Sequence, residues 1–473
     1  MENSQASENR PPLIAGTKQP PIPLRAIIRR RCSTVAIAAL SLFLGGCSTL
    51  SFESEPTPVR RPDLTPLPPA RASGEPEMRV RLATKQIKAV LGGPREVSVS
   101  PAGDKSQTRV LSTPLEMVLT ERAWSLRDVR GGQTSIARTG SHRDDAMVVR
   151  AIGPAEITYA SASYPGEIRL VPRPTSSAGA EPASFDVIEY VPLDRYLPGV
   201  ISKELFPNWG LEAYKAQTVA ARSYAMQERA RSVGAGTTFD VEASEQDQAY
   251  GGSTASATAL RAVHETRGQV LMWNGGLLRS YYSSCCAGRA ASARDTWPTG
   301  KGFEYNLADP IQGRPRPAPC PCEFSGRYRW SVVRDRQDLA DRLRAYGEQS
   351  NFAVRGLRSV SRIEVETQND AGRPASYRVF DSAGKWYSLS AEQLRLACNT
   401  VAPGRAPVDA KTRVFSGDLV FALRADSVKI DGRGFGHGVG LCQYGAEGMA
   451  RQGRGFMDIL RYYYPGATVE RAY

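Results

Sequence analysis

Apolar and polar positions alternate with a period of two in short runs between residues 78 and 190, as in Met78-Arg79-Val80-Arg81-Leu82 and Glu167-Ile168-Arg169-Leu170-Val171. Gly, Ser and Pro punctuate these runs, so the pattern predicts a β-rich leading segment over 78–184. Phe185-Asp186-Val187-Ile188-Glu189-Tyr190-Val191 reads as one more strand. From Leu211 to Arg231 the period changes, and Ala, Gln, Arg and Met predict a helix whose start is marked by Pro207 and Gly210. Gln269 to Trp273, then Asn274-Gly275-Gly276, then Leu277 to Ser283 predict a β-hairpin that runs straight into a group of cysteines. Residues 335–347 read as helix and 358–389 as two or three strands. The C-terminal stretch is a Gly-rich loop followed by two short helices. Strands and helices do not alternate regularly, which favours an α+β fold of mixed strands and helices over a doubly wound sheet.

With 473 residues and 41% hydrophobic content the chain can bury a substantial core, and its length suits two or three domains. The formal charge of +13 suits an acidic partner, whether anionic glycan, membrane surface or nucleic acid, without choosing among them. The N-terminus adds a direction. Arg29, Arg30 and Arg31 precede an apolar run from Ser33 to Leu44 that is too short to span a bilayer comfortably. Leu44-Gly45-Gly46-Cys47 then resembles a bacterial lipobox, in which the Cys is lipidated and becomes the first mature residue. Residues 1–46 are therefore expected to be a lipoprotein signal peptide, with Cys47 as the lipidation site. The long stretch before Arg29 is unusual for a signal and fits a later translation start. Residues 47–77, with Pro56, Pro58, Pro62, Pro66, Pro68 and Pro69, read as an extended tether.

Export changes how the remaining cysteines are read, because disulfides persist outside the cytoplasm. Cys285, Cys286, Cys320 and Cys322 form a CC pair and a CxC pair, and Cys398 and Cys442 stand apart. The four clustered thiols are either disulfide staples or a closed structural zinc site. The CxC lacks the usual two-residue spacer of zinc sites, which tips the balance slightly toward disulfides. Of the three histidines, His142 lies among Ser, Arg and Asp as a solvated loop residue, and His264 reads as a packed or capping residue on a helix. None sits in a nucleophile elbow, so a Ser-His-Asp triad is not supported.

Three segments then stand out together. The first runs from Val191-Pro192-Leu193-Asp194-Arg195-Tyr196-Leu197-Pro198-Gly199 through Lys203-Glu204 and Trp209 into Lys215-Ala216-Gln217, Arg222 and Tyr224. The second is Asp247-Gln248-Ala249-Tyr250-Gly251-Gly252, followed by Tyr282-Ser283-Ser284-Cys285. The third is Gly432-Arg433-Gly434-Phe435-Gly436-His437-Gly438-Val439-Gly440-Leu441-Cys442-Gln443-Tyr444-Gly445-Ala446, ending near Tyr464-Pro465-Gly466. In order and spacing the set resembles the SpoIID/LytB family, named for stage II sporulation protein D and for amidase enhancers, and it covers most of 185–473.

The resemblance implies peptidoglycan glycan strands as substrate, lytic transglycosylase activity, no required cofactor, and Glu204 as the catalytic acid. It gives no role to nucleic acid. The enhancer branch implies a different class of function, a non-catalytic glycan-binding activator of a cell-wall amidase. A lipoprotein anchor with Ser48 after Cys47 suits the periplasmic face of a Gram-negative outer membrane, attached to the membrane through lipid. A general acid needs a raised pKa, which an apolar wall of Leu205, Phe206, Pro207 and Trp209 would supply, while Lys203, Lys215 and Arg222 would oppose it. Without the resemblance, Glu204 reads as an acid flanking a helix start, where the helix dipole favours carboxylates. Lys215 and Arg222 are seven apart and share a helix face. If that face lines a glycan-binding groove, they would hold sugar hydroxyls, a lactyl carboxylate or Glu204 itself. Gln217, Tyr224, Gln248, Tyr250, Ser283, Ser284, Gln443 and Tyr444 complete the substrate-contact candidates, although core or turn duty explains each equally well. The alternating glycines around His437 fit neither a dinucleotide fingerprint nor a P-loop. They make either a flexible loop presenting His437 to the glycan or a tight structural turn. The chain departs from the family pattern at Leu205, where Met is usual, and at Cys286-Ala287, where Gly-Gly is common.

Overall fold

In the computed structural model, which describes residues 74–174, 183–244 and 247–473, the alternating runs become a seven-stranded sheet. Its order is Val241–Glu242, Glu77–Gln86, Phe185–Pro192, Glu167–Pro172, Met147–Ala151, Glu96–Pro101, Arg109–Ser112. All neighbours are antiparallel except the first pair. A second, four-stranded sheet is built from Lys88–Leu91, Leu115–Leu119, Ala123–Arg127 and Gln133–Ala137. The leading segment and the segment after 185 are not separate layers: Glu77–Gln86 pairs with Phe185–Pro192 from Glu77↔Pro192 to Gln86↔Phe185. Cys47, the expected signal and nearly all of the tether lie outside the described residues. Among those described, no helix is long and apolar enough to cross a membrane.

Helix α1 (Leu193–Glu204) follows the strand Phe185–Pro192 without a loop. Its buried Leu193, Tyr196, Leu197, Val200 and Ile201 recur at the spacing of one helical face, and they enter the core that holds Val80, Val99 and Val187. Each such side chain contributes about 1.5–3 kcal/mol when fully buried. The helix stops at Glu204 because Leu205 turns to extended backbone (φ −115°, ψ 151°) and Phe206 precedes Pro207, which disfavours helical backbone before it.

Helix α2 (Leu211–Gly234) contributes side chains to two cores. Tyr214, Ala221 and Ala225 pack into the first core, whereas Ala213, Ala216, Val219, Ala220 and Tyr224 pack into a second. A helix buried on two sides has no solvent stripe, which is why its sequence shows propensity without amphipathic contrast. Thr218 and Ser223 satisfy their buried hydroxyls on Tyr214 O (2.7 Å) and Val219 O (2.6 Å).

Helix α3 (Ala257–Glu265) is capped by Ser256, whose hydroxyl accepts from Ala259 N–H. His264 is exposed on its last turn, so the packed or capping role expected for it is not seen. The hairpin is shorter than expected. Asn274 (φ 49°) and Gly275 (φ 77°) make the two-residue turn, but only Gly276–Leu277 returns along Gln269–Trp273. The other edge of Gln269–Trp273 is taken by Thr468–Arg471, and Tyr282–Ser283 pairs in parallel with Leu441–Cys442.

After the short α4 (Ala293–Thr296), residues 329–433 build a third core. Helices α5 (Arg336–Ser350) and α6 (Ala391–Asn399) pack there with two three-stranded sheets. One sheet is Arg362–Gln368, Pro374–Phe380, Trp386–Ser390, and the other is Arg329–Asp335, Ser427–Arg433, Leu419–Leu423. The glycine loop then leads into α7 (Gln443–Arg451) and α8 (Phe456–Tyr463), the two short helices predicted from sequence. The fold is α+β with a β-rich N-terminal part.

Candidate functional site

Glu204 is the last residue of α1, and Gln443 is the first residue of α7. Gln443 Nε2 donates to Glu204 Oε2 at 2.8 Å. The parallel pairing of Tyr282 with Leu441 and Ser283 with Cys442 delivers Gln443 to this place, and Tyr444 N–H donates to Ser284 O at 3.0 Å. The alternative reading of Glu204, an acid flanking a helix start, does not fit: it sits at a helix C-terminus, where the dipole gives a carboxylate no support.

A row of buried polar side chains lies behind the carboxyl. Tyr196 O–H donates to Gln248 Oε1 (3.1 Å), and Gln248 Nε2 donates to Tyr282 Oη (3.1 Å) and Ala221 O (3.1 Å). Burial first, and then the Glu204 charge, pushes the Tyr282 hydroxyl well above its ordinary pKa. Tyr196 is raised as well, chiefly by burial, with Glu204 among the charges that add to it. Tyr250 packs its ring on Tyr196 at 4.7 Å. Beneath them Glu189, fully buried on the strand Phe185–Pro192, accepts from Gly166 N–H at 2.8 Å, and burial raises its carboxyl to about 7. Glu189 has no part in the three motifs, and its only mark in the sequence is that it shares a mostly apolar strand with a second acid, Asp186.

Of the four expected apolar neighbours, Phe206 and Trp209 join an aromatic group, whereas Pro207 is exposed. Phe206 and Trp209 (5.2 Å) both meet Tyr444, at 6.1 and 5.0 Å, and Phe324 adds a further ring at 5.4 Å from Tyr444. Leu205 itself is buried in the first core. Exposed Lys203 lies along Gly251, where an added Cβ would fall 2.2 Å from its Cε.

The cationic face of α2 does not line this site. Arg222 is 0% exposed: Nη2 donates to Asp194 Oδ1 at 2.9 Å and Nη1 to Thr266 O at 2.9 Å, while Tyr473 O–H reaches the same Asp194 oxygen at 2.8 Å. Lys215 pairs with Glu212 (2.9 Å) and Glu265 (2.5 Å). Both cations are therefore committed to ion pairs within the protein, which corrects their expected part in holding sugar. Tyr224 is also buried, beneath the Arg279 guanidinium at 4.7 Å. Gln217 is fully buried, and neither its amide oxygen nor its nitrogen has a partner. Ser283 is buried with an unpartnered hydroxyl, while Ser284 and Tyr444 are half-buried.

The glycine loop is a tied turn, not a flexible flap. Gly434, Gly436, Gly438 and Gly440 all adopt positive φ. At Gly440 a Cβ would lie 1.9 Å from Tyr281 O, and at Gly434 2.4 Å from Cys285 O, so no larger residue fits against that backbone. Phe435 and Cys285 exchange both backbone bonds, at 2.8 and 3.0 Å. His437 Nδ1 accepts from Val439 N–H (3.0 Å), its ring meets Trp297 edge-on at 4.9 Å, and burial lowers its pKa to about 4. It lines a small cavity with Ser292, Asp295, Arg373 and Glu392, a group that includes neither Glu204 nor Gln443.

The cysteine group gains a member. All six described cysteines are free thiols, and five of them, Cys285, Cys286, Cys320, Cys322 and Cys442, are buried together. Sequence spacing grouped only the first four, because Cys442 arrives from the far side of the third core. No disulfide is formed among the described residues, although the sequence reading tipped that way. Ala287, at the second position of the expected Gly-Gly pair, holds φ 50°, the left-handed conformation that a glycine adopts without cost.

The Glu204 carboxyl at a helix end, held by the glutamine that follows a glycine loop, is the arrangement that the three sequence motifs build when they meet. Residues 181–273 match the family model described as stage II sporulation protein, SpoIID. The chain is 28% identical over 302 residues to the amidase enhancer of Bacillus subtilis, covering 58% of this chain and 40% of that protein. It is 25% identical over 341 residues to stage II sporulation protein D of the same organism, covering 66% and 88%. An uncharacterized protein of Brachyspira hyodysenteriae is 27% identical over 286 residues, covering 60% and 68%. The chain thus spans less than half the length of the amidase enhancer it matches. These matches bear out the SpoIID/LytB resemblance read from the motifs.

Proposed function

We propose that this chain is a peptidoglycan lytic transglycosylase that cleaves glycan strands stripped of stem peptides and leaves 1,6-anhydromuramic ends. The observation that carries the reading is the Glu204–Gln443 contact beside the aromatic wall of Phe206, Trp209 and Tyr444. The family matches support a peptidoglycan-related role for it.

One carboxyl suffices for this reaction. Protonated Glu204 gives its proton to the glycosidic oxygen as the bond from that oxygen to the anomeric carbon breaks. The resulting carboxylate removes the proton of the muramic 6-hydroxyl as that oxygen bonds to the anomeric carbon, which restores the acid and consumes no water. Hydrolases instead need a second carboxylate to activate water or to form a covalent intermediate. Gln443 holds Oε2 and so sets the direction of Oε1, and the aromatic faces offer stacking surfaces for sugar rings. Cys47 lipidation would hold the enzyme at the membrane, facing the periplasm.

The test is digestion of purified denuded strands with mass spectrometry of the ends. Wild type should release anhydromuramic fragments. Glu204→Gln should still sediment with strands yet lose activity by on the order of a hundredfold or more. Equal rates for the two proteins would refute the assignment. A second reading is favoured by one observation, the amidase enhancer among the relatives: a non-catalytic activator of a cell-wall amidase. It predicts no anhydro ends from either protein and amidase stimulation by both.

A further inference from the structure

Five sulfurs converge from three segments of chain. Cys285 and Cys286 follow the short parallel strand Tyr282–Ser283, Cys320 and Cys322 sit in the loop before Arg329–Asp335, and Cys442 caps α7. They form two triads, Cys285-Cys322-Cys442 and Cys286-Cys320-Cys322, with the sulfurs of each within 4.8 Å of one another. Thiolates around zinc at about 2.3 Å place neighbouring sulfurs roughly 3.8 Å apart in a tetrahedron, so one triad offers three corners and the fourth must come from the triad joined to it through Cys322.

The surroundings suit charged sulfur. Cys286 N–H and Gly445 N–H both point at Cys442 Sγ at 3.3 Å, and that sulfur also stands at the N-terminus of α7. Arg316 Nη1 approaches Cys286 Sγ at 3.7 Å, a cation placed to offset part of the negative charge of a tetrathiolate centre. Cys398 provides an internal contrast. It is buried by itself among the aliphatic side chains of the third core, where burial pushes its thiol up to about 11, as expected of a cysteine that serves as a small hydrophobe. Five cysteines also fit disulfide pairing poorly, since two bonds leave one thiol over.

We propose that this cluster is a structural zinc site, with Cys286, Cys320, Cys322 and Cys442 as its four thiolate ligands and Cys285 left as a thiol beside it. Cys322 belongs to both triads and is the central ligand. Cys442 is preferred to Cys285 as the fourth because two backbone N–H groups already serve its sulfur. Four protein ligands close the coordination sphere, so the ion would hold structure and take no part in chemistry. Its effect would be to bolt together the three segments that set the position of Gln443, the residue next to Cys442. The proposal is independent of the catalytic reading.

The experiment uses the full chain purified under reducing conditions without added metal. Elemental analysis should find one zinc per chain, and exchange with cobalt(II) should produce the intense near-ultraviolet sulfur-to-cobalt absorption of a tetrathiolate. In chelator competition Cys286→Ser, Cys320→Ser, Cys322→Ser and Cys442→Ser should each lose at least tenfold in metal affinity, while Cys285→Ser and Cys398→Ser should match wild type. The cobalt spectrum of wild type keeps the test valid where a variant fails to fold. A metal-free chain with a non-reduced mass lighter by two disulfides' worth of hydrogen would overturn the proposal, as would a folded metal-free chain with alkylatable thiols. Retention of metal by Cys442→Ser together with its loss from Cys285→Ser would overturn the ligand set.

Discussion

Gln443 donates to Glu204 across 239 residues of sequence, at 2.8 Å, joining the end of the first helix to the beginning of the seventh. The contact exists because a parallel two-residue pairing carries Leu441 and Cys442 alongside Tyr282 and Ser283, so the orientation of the carboxyl depends on segments far from its own helix.

Removing that amide should disturb catalysis more than binding. A hydrogen bond to a charged group is worth about 1.5–3 kcal/mol, so Gln443→Ala should lower kcat on denuded strands by roughly ten- to a hundredfold. KM should change little. A loss confined to KM would mean that Gln443 holds substrate and does not orient Glu204.

Arg222 and Asp194 form a buried pair between α1 and α2, and breaking such a pair by removing one partner costs about 3–5 kcal/mol. Arg222→Ala should therefore lower the urea midpoint sharply. The protein that remains folded should bind glycan strands with wild-type affinity. Weakened strand binding at unchanged stability would return Arg222 to the substrate site.

His437 should make stability depend on pH. Its folded pKa, lowered to about 4 by burial, lies below the ordinary value of 6.5, so the unfolded chain takes up the proton first as pH falls. The contribution of the neutral ring is complete above about 6.5 and is progressively lost down to about 4. His437→Gln should flatten the difference in unfolding free energy between pH 7 and pH 4.5. An imidazole titration midpoint near 6.5 by NMR would contradict this account.

Much of the fold was legible because local rules decided it. The buried face of α1 follows from its apolar spacing, and the start of α2 follows from Gly210, whereas its end lies at Gly234, beyond the Arg231 that the run of helix formers marks. What escaped was whatever depends on partners distant in the chain. Tyr282 and Ser283 look like the return arm of a hairpin, but their partner is Leu441–Cys442. Lys215 and Arg222 look like a cationic face for a ligand, but Glu265, Asp194 and Tyr473 come from elsewhere to occupy them. Glu204 stands out by its motif alone, but its position at the end of a helix depends on where Leu205 leaves helical backbone. Cys442 was read as solitary because no spacing rule reaches across the third core.

The strand Glu77–Gln86 lies between Phe185–Pro192 and Val241–Glu242, so its two neighbours are made long after it. During synthesis it must wait, with both edges unpaired, until more than a hundred further residues have appeared. For anyone dividing the gene, the tempting cut at 184/185 would strip the longer of these neighbours of both its partners, Glu77–Gln86 and Glu167–Pro172, and bare both edges of a buried strand. A fragment beginning there would report on its own aggregation before it reported on glycan, and the smallest faithful piece of this protein begins ahead of Glu77.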